Sequence, residues 1–263
     1  MSVTVRDLRA FKERRERFIM LTAYDYPTAR ILDEAGVPII LVGDSVANNI
    51  LGYDTTIPVT MEEMLHHCRA VARGVTNAMV VGDMPFMSFH TSIQEGIRNA
   101  GRFLKEGGAH AVKLERPGIE MAAAIVERGI PVMGHIGLGP QSVHAMGGYR
   151  VQGKDEEGAR RMLDQAQALD KAGIFSLVLE GIPAGLGAQI SQAVSVPTIG
   201  IGAGPDCDGQ VLVITDLLGL GFGTYPKFAK PYVDLRATIT QAVTAFAADV
   251  RSGAFPDDAH SYH

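Results

Sequence analysis

PIILVGDS (residues 38–45), AMVVGD (78–83), HAVKLE (110–115) and FSLVLE (175–180) share one pattern, an apolar run that leads to an ionisable residue. Continuously apolar runs of this length are what parallel strands covered on both faces look like in sequence. An ionisable group at the end of a buried strand costs free energy unless something at that end uses it. Asp44, Asp83, Glu115 and Glu180 are therefore expected to face one common site.

Outward from these segments, further strands are read over 18–23, 131–134, 197–201 and 211–214. Helices are read over 25–35, 60–74, 92–107, 117–129, 155–172, 184–195 and 234–252, several with a glycine at or just past the end, as at Gly36, Gly74, Gly107, Gly129 and Gly173. Eight strands alternating with helices in 263 residues predict an α/β protein, a (β/α)8 TIM barrel in a single domain over 1–263. The length is close to the ~250 residues typical of that fold. A doubly wound open sheet is the alternative, and in both architectures the ligand site lies at the carboxyl ends of the strands.

With 46% hydrophobic and 20% charged residues the chain can bury a large core. A net charge of -5 without a basic stripe weighs against a nucleic-acid partner and leaves a small, even anionic, substrate open. Cys68 and Cys207 are far apart and form no CxxC pair, so a disulfide framework is not expected and a reducing compartment fits. No apolar run of ~18 residues predicts a membrane span, and the first residues lack the apolar core of a secretory signal. A soluble, cytoplasmic protein is expected, with the basic cluster Arg14, Arg15 and Arg17 on a solvated helix face.

Side chains alternate along a strand, so residues two apart share a face. That count pairs Val42 with Asp44, Val81 with Asp83, Lys113 with Glu115, and Ser176 and Val178 with Glu180. Oxygen-only donors such as Asp44, Asp83 and Glu115 suit a hard cation, magnesium first. Taken singly, each Asp could instead cap a helix or form an Asx turn. Lys113, with Glu115 two residues on, is expected to stay charged and donate to an anionic substrate rather than form an imine. His135 could hydrogen-bond the substrate or be a satisfied core histidine, while His66, His67, His90 and His144 carry no strong claim. GIGAG (200–204) is followed by Pro205 and lacks GxGxxG spacing, so it reads as a tight βα turn. The excursion GLGPQSVHAMGGYRVQGK (137–154) is long and glycine-rich, a candidate lid.

LTAYDYPTA (21–29), LVGDS (41–45), GDMPF (82–86), VKLE (112–115), GHIGLGPQSV (134–143), GGYRVQGK (147–154), LEGIP (179–183) and IGIGAGPDCDGQVLV (199–213) occur in this order along the chain. Together they closely resemble the ketopantoate hydroxymethyltransferase family. The resemblance implies a barrel of the phosphoenolpyruvate/pyruvate type, one Mg2+ per subunit, 5,10-methylenetetrahydrofolate as one-carbon donor, 3-methyl-2-oxobutanoate as acceptor, and a homodecamer. It places the metal at Asp44, Asp83 and Glu115, the oxo acid at Ser45, Asp83 and Lys113, and the proton acceptor at Glu180. Asp44 and His135 are grouped with the residues on the substrate side. GDSVANNILG stands where the family has GDSLGMVVLG, which keeps Asp44 and Ser45 and changes the residues after them. Two other readings are a related Mg-dependent oxo-acid lyase or mutase barrel, which the missing KxCGH-like loop disfavours, and a non-catalytic oxo-acid sensor, which Glu180 disfavours.

Overall fold

A computed structural model describes residues 2–263. Eight parallel strands close into a barrel in sequential order: β1 (Phe18–Thr22), β2 (Ile39–Val42), β3 (Met79–Asp83), β4 (Ala111–Glu115), β5 (Val132–Gly137), β6 (Ser176–Glu180), β7 (Thr198–Ile201) and β8 (Gly209–Leu212). The open-sheet alternative is thereby excluded. Helices run in chain order as α1 (Val5–Arg14), α2 (Tyr26–Glu34), α3 (Val46–Asn49), α4 (Met61–Gly74), α5 (Ile93–Lys105), α6 (Ile119–Val126), α7 (Val143–Met146), α8 (Glu156–Lys171), α9 (Ala184–Ala193), α10 (Ile214–Leu217) and α11 (Leu235–Ser252). The chain forms two compact units, one ending at Val213 and one from Ile214 to His263.

In the first unit the strands are buried because their residues are apolar on both faces, as the near-unbroken burial of β2, β3, β4 and β5 shows. The inner face is a stack of Phe18, Met20, Ile39, Leu41, Met79, Val81, Ala111, Met133, Val178, Ile199 and Val211. This is the side-chain filling that makes a barrel a core and not a pore. Leu8 of α1 joins the stack, with Val3, Val5 and Phe11 packed against it. Helix α1 starts at a capping box in which Thr4 and Asp7 satisfy each other's backbone N–H groups. Its basic end is exposed as expected, with Arg14 paired to Glu16 at 3.0 Å.

Two strands differ from the sequence reading by more than one residue. Strand β5 runs on to Gly137, past His135, a polar residue that looks like a stop in sequence. Strand β8 starts two residues early, because Gly209 pairs with Phe18 and the following apolar residues turn into α10. In the second unit α11 is capped by the Asp234 side chain and buries no residue of its own, leaving Ile239, Val243, Phe246 and Val250 exposed.

Asp33, at the end of α2, ties that helix to the approach to β3. Its carboxylate accepts from the backbone N–H groups of Thr76 (3.1 Å), Asn77 (2.9 Å) and Ala78 (2.7 Å) and from Asn77 Nδ2 (3.1 Å). Burial opposes its charge, but these donors outweigh burial and hold Asp33 below the ordinary value of 3.8. Asp33→Ala, which strands buried donors, is expected to cost about 3 kcal/mol in urea unfolding. Because the folded pKa is depressed, the Asp33 contribution is fully present above the ordinary carboxylate value and lost as pH falls through the folded one. The gap between parent and variant should therefore shrink in acid, and a gap independent of pH would refute the charged role.

Candidate active site

The strand register brings the charged ends together. Asp83 pairs with Lys113 across β3 and β4, and Glu115 with His135 across β4 and β5. Asp44 arrives by another route. Inside the barrel β2 presents Ile39 and Leu41, so Val42 is not on the inner face and the two-residue count from Val42 to Asp44 fails. The strand ends at Val42, and it is the turn into α3 that carries Asp44 to the mouth. There its N–H donates to Asp83 Oδ2 at 3.3 Å. Ser45, next in the turn, shares a hydrogen bond of 2.8 Å with the Tyr24 hydroxyl, a partner that local spacing does not signal.

Lys113 is buried and donates to both oxygens of Asp83, at 2.8 and 2.7 Å. Burial disfavours its charge, yet Asp83 first, then Asp44, with Glu115 last, hold it above its ordinary value. The charged state inferred from sequence thus has Asp83, across the sheet, as its direct partner rather than Glu115. Burial raises the Asp83 carboxyl, Asp44 adds to the rise and Lys113 opposes it. Glu115 is pushed up to about 8 by burial and then by Asp44, against Lys113 and the Gln141 N–H.

His135 and Glu180 form the other side of the mouth, with Nε2 3.2 Å from Glu180 Oε2. The ring is buried, its approach to Glu180 lacks hydrogen-bond alignment, and neither ring nitrogen has a protein hydrogen-bond partner. Burial, then the Lys113 charge, lower its pKa, with Glu180 pulling the other way. The Glu180 side chain keeps 15% of its exposure.

The excursion over 137–154 is more ordered than its sequence implies, with a 3-10 turn (Pro140–Ser142) leading into α7. It is tied down beside Glu180 at both ends, through Leu138 N–H to the Glu180 carbonyl at 2.8 Å and Gln152 N–H to the Gly181 carbonyl at 2.9 Å. Gly137 has φ +100°, and a Cβ there would run into that Glu180 carbonyl. A Cβ on Gly139 would strike the Glu115 carboxylate. Gln141, which nothing in the sequence singles out, joins the site from this loop. Its N–H donates to Glu115 Oε2 at 3.1 Å, and its Nε2 to Asp44 Oδ2 at 2.9 Å and the Met84 carbonyl at 3.0 Å. Farther along, Tyr149 is exposed, and partial burial followed by the fields of Asp44, Glu180 and Glu115 raises its hydroxyl pKa.

A hard cation fits these donors by their chemistry. They are all oxygens, they are buried, Glu115 resists ionisation without a counter-charge, and the buried Gln141 Oε1 has no donor. Among the described residues no three His, Cys, Asp or Glu side chains already stand as a ligand cluster. As the site stands, Lys113 holds Asp83 and Gln141 holds Asp44. Magnesium needs only one or two carboxylates when substrate and waters complete its shell.

A sequence profile described as ketopantoate hydroxymethyltransferase matches residues 2–258. The chain belongs to that family. It is 54% identical over 262 residues to the 3-methyl-2-oxobutanoate hydroxymethyltransferase of Carboxydothermus hydrogenoformans, covering 99% of this chain and 95% of the relative. The namesake from Syntrophotalea carbinolica is 54% identical over 261 residues, with 98% of each chain covered. Among solved structures, a phosphonopyruvate hydrolase in complex with oxalate and Mg++ superposes with TM-score 0.63 at 15% identity over 99% of this chain and 93% of that one. A 2,3-dimethylmalate lyase, a member of the PEP mutase/isocitrate lyase superfamily, gives 0.60 at 17% over 98% and 91%. These likenesses establish for this ketopantoate hydroxymethyltransferase family member the same kind of barrel.

The buried pair makes a direct prediction. Lys113→Met leaves Asp83 buried without its cation and is expected to lower stability by about 3 kcal/mol or more, because breaking one side of a buried pair leaves an uncompensated charge. Lys113→Met combined with Asp83→Leu should recover much of that loss in urea unfolding. Equal stability of parent and Lys113→Met would show that the pair does not carry the charge balance.

Proposed function

We propose that this chain transfers a hydroxymethyl group from 5,10-methylenetetrahydrofolate to 3-methyl-2-oxobutanoate, giving ketopantoate on the route to pantothenate. The observation that carries the reading is one buried ammonium, Lys113, grouped with Asp83, Asp44, Glu115 and the His135–Glu180 pair at a single barrel mouth. Over nearly its whole length the chain is more than half identical to relatives named for this reaction. The hydrolase and lyase barrels, at 15% and 17% identity, lend no comparable support to the lyase or mutase alternative.

In this reading Lys113 offers its donors to the anionic oxo acid, and Ser45, oriented by Tyr24, offers a hydroxyl. Glu180 takes the proton from the branched carbon, leaving the C–H electron pair in the enolate, with His135 Nε2 lying 3.2 Å from its Oε2. The carbon then bonds the methylene carbon of the folate as that carbon's two bonds to the folate nitrogens break. Water supplies the hydroxyl, and the proton taken by Glu180 together with one from that water passes to the two nitrogens, so that tetrahydrofolate leaves. Asp44, Asp83 and Glu115 are the residues that would hold magnesium, one per subunit, which when bound supplies Lewis-acid polarisation of the keto oxygen. The excursion, anchored at both ends beside Glu180, shields the reacting carbon from bulk water.

The net charge of -5 supports an enzyme of small molecules rather than a nucleic-acid binder, and the two unpaired cysteines, Cys68 and Cys207, support a reducing, cytoplasmic setting. For the homodecamer, support comes from the exposed Ile239, Val243, Phe246 and Val250, which recur at the spacing of one helix face. Phe246→Glu is expected to shift the sedimentation profile to smaller species, and an unchanged profile would remove that support.

Turnover is expected to vanish after dialysis against EDTA and return with Mg2+. Glu180→Gln keeps shape and removes the base, so it should bind the oxo acid nearly normally in calorimetry while losing ~100-fold to ~10,000-fold in turnover. A variant that binds normally and turns over within a few-fold of the parent would move the proton acceptor elsewhere.

A further inference from the structure

Gln141 is 3% exposed and lies between Asp44 and Glu115, whose carboxylates, once a bound cation keeps both ionised, only accept hydrogen bonds and so cannot orient each other. It supplies donors to both, its backbone N–H to Glu115 and its amide Nε2 to Asp44. The second Nε2 hydrogen goes to the Met84 carbonyl. Both partners of Nε2 are acceptors, so turning the amide over would set oxygen against oxygen, and the hydrogen-bond network fixes its orientation. Oε1 is then left buried, accepting nothing from the protein. A buried polar atom with no partner requires an account, and completion by a ligand is one. The backbone around Gln141 is also set from below, because Gly139 lies against the Glu115 carboxylate where any Cβ would collide.

We propose that Gln141 is a positioning residue of the cation site. It fixes Asp44 and Glu115 relative to each other, and its free Oε1 takes a hydrogen from a water carried by the hydrated cation. The proposal rests on the reading of Asp44, Asp83 and Glu115 as the cation's residues. Magnesium demands near-octahedral geometry and keeps several waters, so affinity depends on how well the carboxylates are held and on acceptors for those waters. Groups that orient ligands in this way typically contribute ~10-fold to ~100-fold to metal affinity.

The test uses the full chain, stripped of metal, and Mn2+ as a paramagnetic probe whose free concentration is read by electron paramagnetic resonance. Gln141→Met keeps the length of the side chain and the N–H to Glu115 while removing both amide atoms. Gln141→Asn keeps the amide and shortens its reach, and it carries the test if the Met variant does not fold. Each is expected to raise the Mn2+ Kd by ~10-fold to ~100-fold, with the thermal midpoint within a few degrees of the parent and an altered spectrum of the bound ion at saturation. Mn2+ affinity within twofold of the parent in both variants would overturn the role of Gln141. A parent chain that binds no Mn2+ would overturn the cation reading beneath it, an outcome distinguishable because it needs no variant.

Discussion

Carboxylates gathered at one barrel mouth repel one another and resist leaving water, and the Lys113 ammonium is what makes Asp83 tolerable there. Its two short bonds to Asp83 span neighbouring strands, so the pair exists only when β3 and β4 are in register. Desolvating two ions is expensive, and their attraction repays it only when geometry is good and the remaining donors and acceptors are met. The carboxylates of the mouth meet that condition in part: Asp44 donates its N–H to Asp83, and Gln141 serves Asp44 and Glu115. Stability and chemistry thus draw on the same charges. A site arranged this way accepts a further positive charge readily, and Glu115, resisting ionisation without one, is where the balance is least complete.

Much of this is readable from the chain. Parallel strands all end at the same side, so four charged strand ends have to meet once the barrel is inferred, and three of the four, Asp83, Glu115 and Glu180, close their strands. Asp44 reaches the right place by a different rule from the one spacing suggests, because alternation stops where extended backbone stops and the turn into α3 does the carrying. The charge on Lys113 follows in sequence from a neighbour two residues away, whereas its direct partner lies 30 residues back. Local spacing sees one strand, and cross-strand register needs the sheet. Gln141 leaves no signal of that kind. Its partners are 26 and 97 residues away, and an amide in a glycine-rich loop has no periodicity to mark it. The nearby glycines, which look like flexibility in sequence, are in two cases places where a Cβ would strike Glu115 or the Glu180 carbonyl.

Fold and family contribute differently here. Barrels of the same shape serve a hydrolase and a lyase at 15% and 17% identity, so the architecture by itself fixes only where a site will be. What narrows the chemistry is the set of groups on the strand ends and in the excursion. Tyr24 behind Ser45 and His135 beside Glu180 show this layering: neither is acidic or cationic by default, and each lies against a residue that is more exposed than itself.

The long reach of Gln141 also bears on how the chain acquires its structure. A contact across 97 residues carries the entropy of closing a large loop, a cost that falls once the strands between have found their neighbours. Strand pairing from β2 through β5 can form the wall of the barrel first, with the excursion settling onto Glu115 and Asp44 afterwards. Interactions that form after the rate-limiting step govern how fast a protein comes apart more than how fast it comes together. The mouth of this barrel would then act as a clasp on the finished fold, fastened last and opened first.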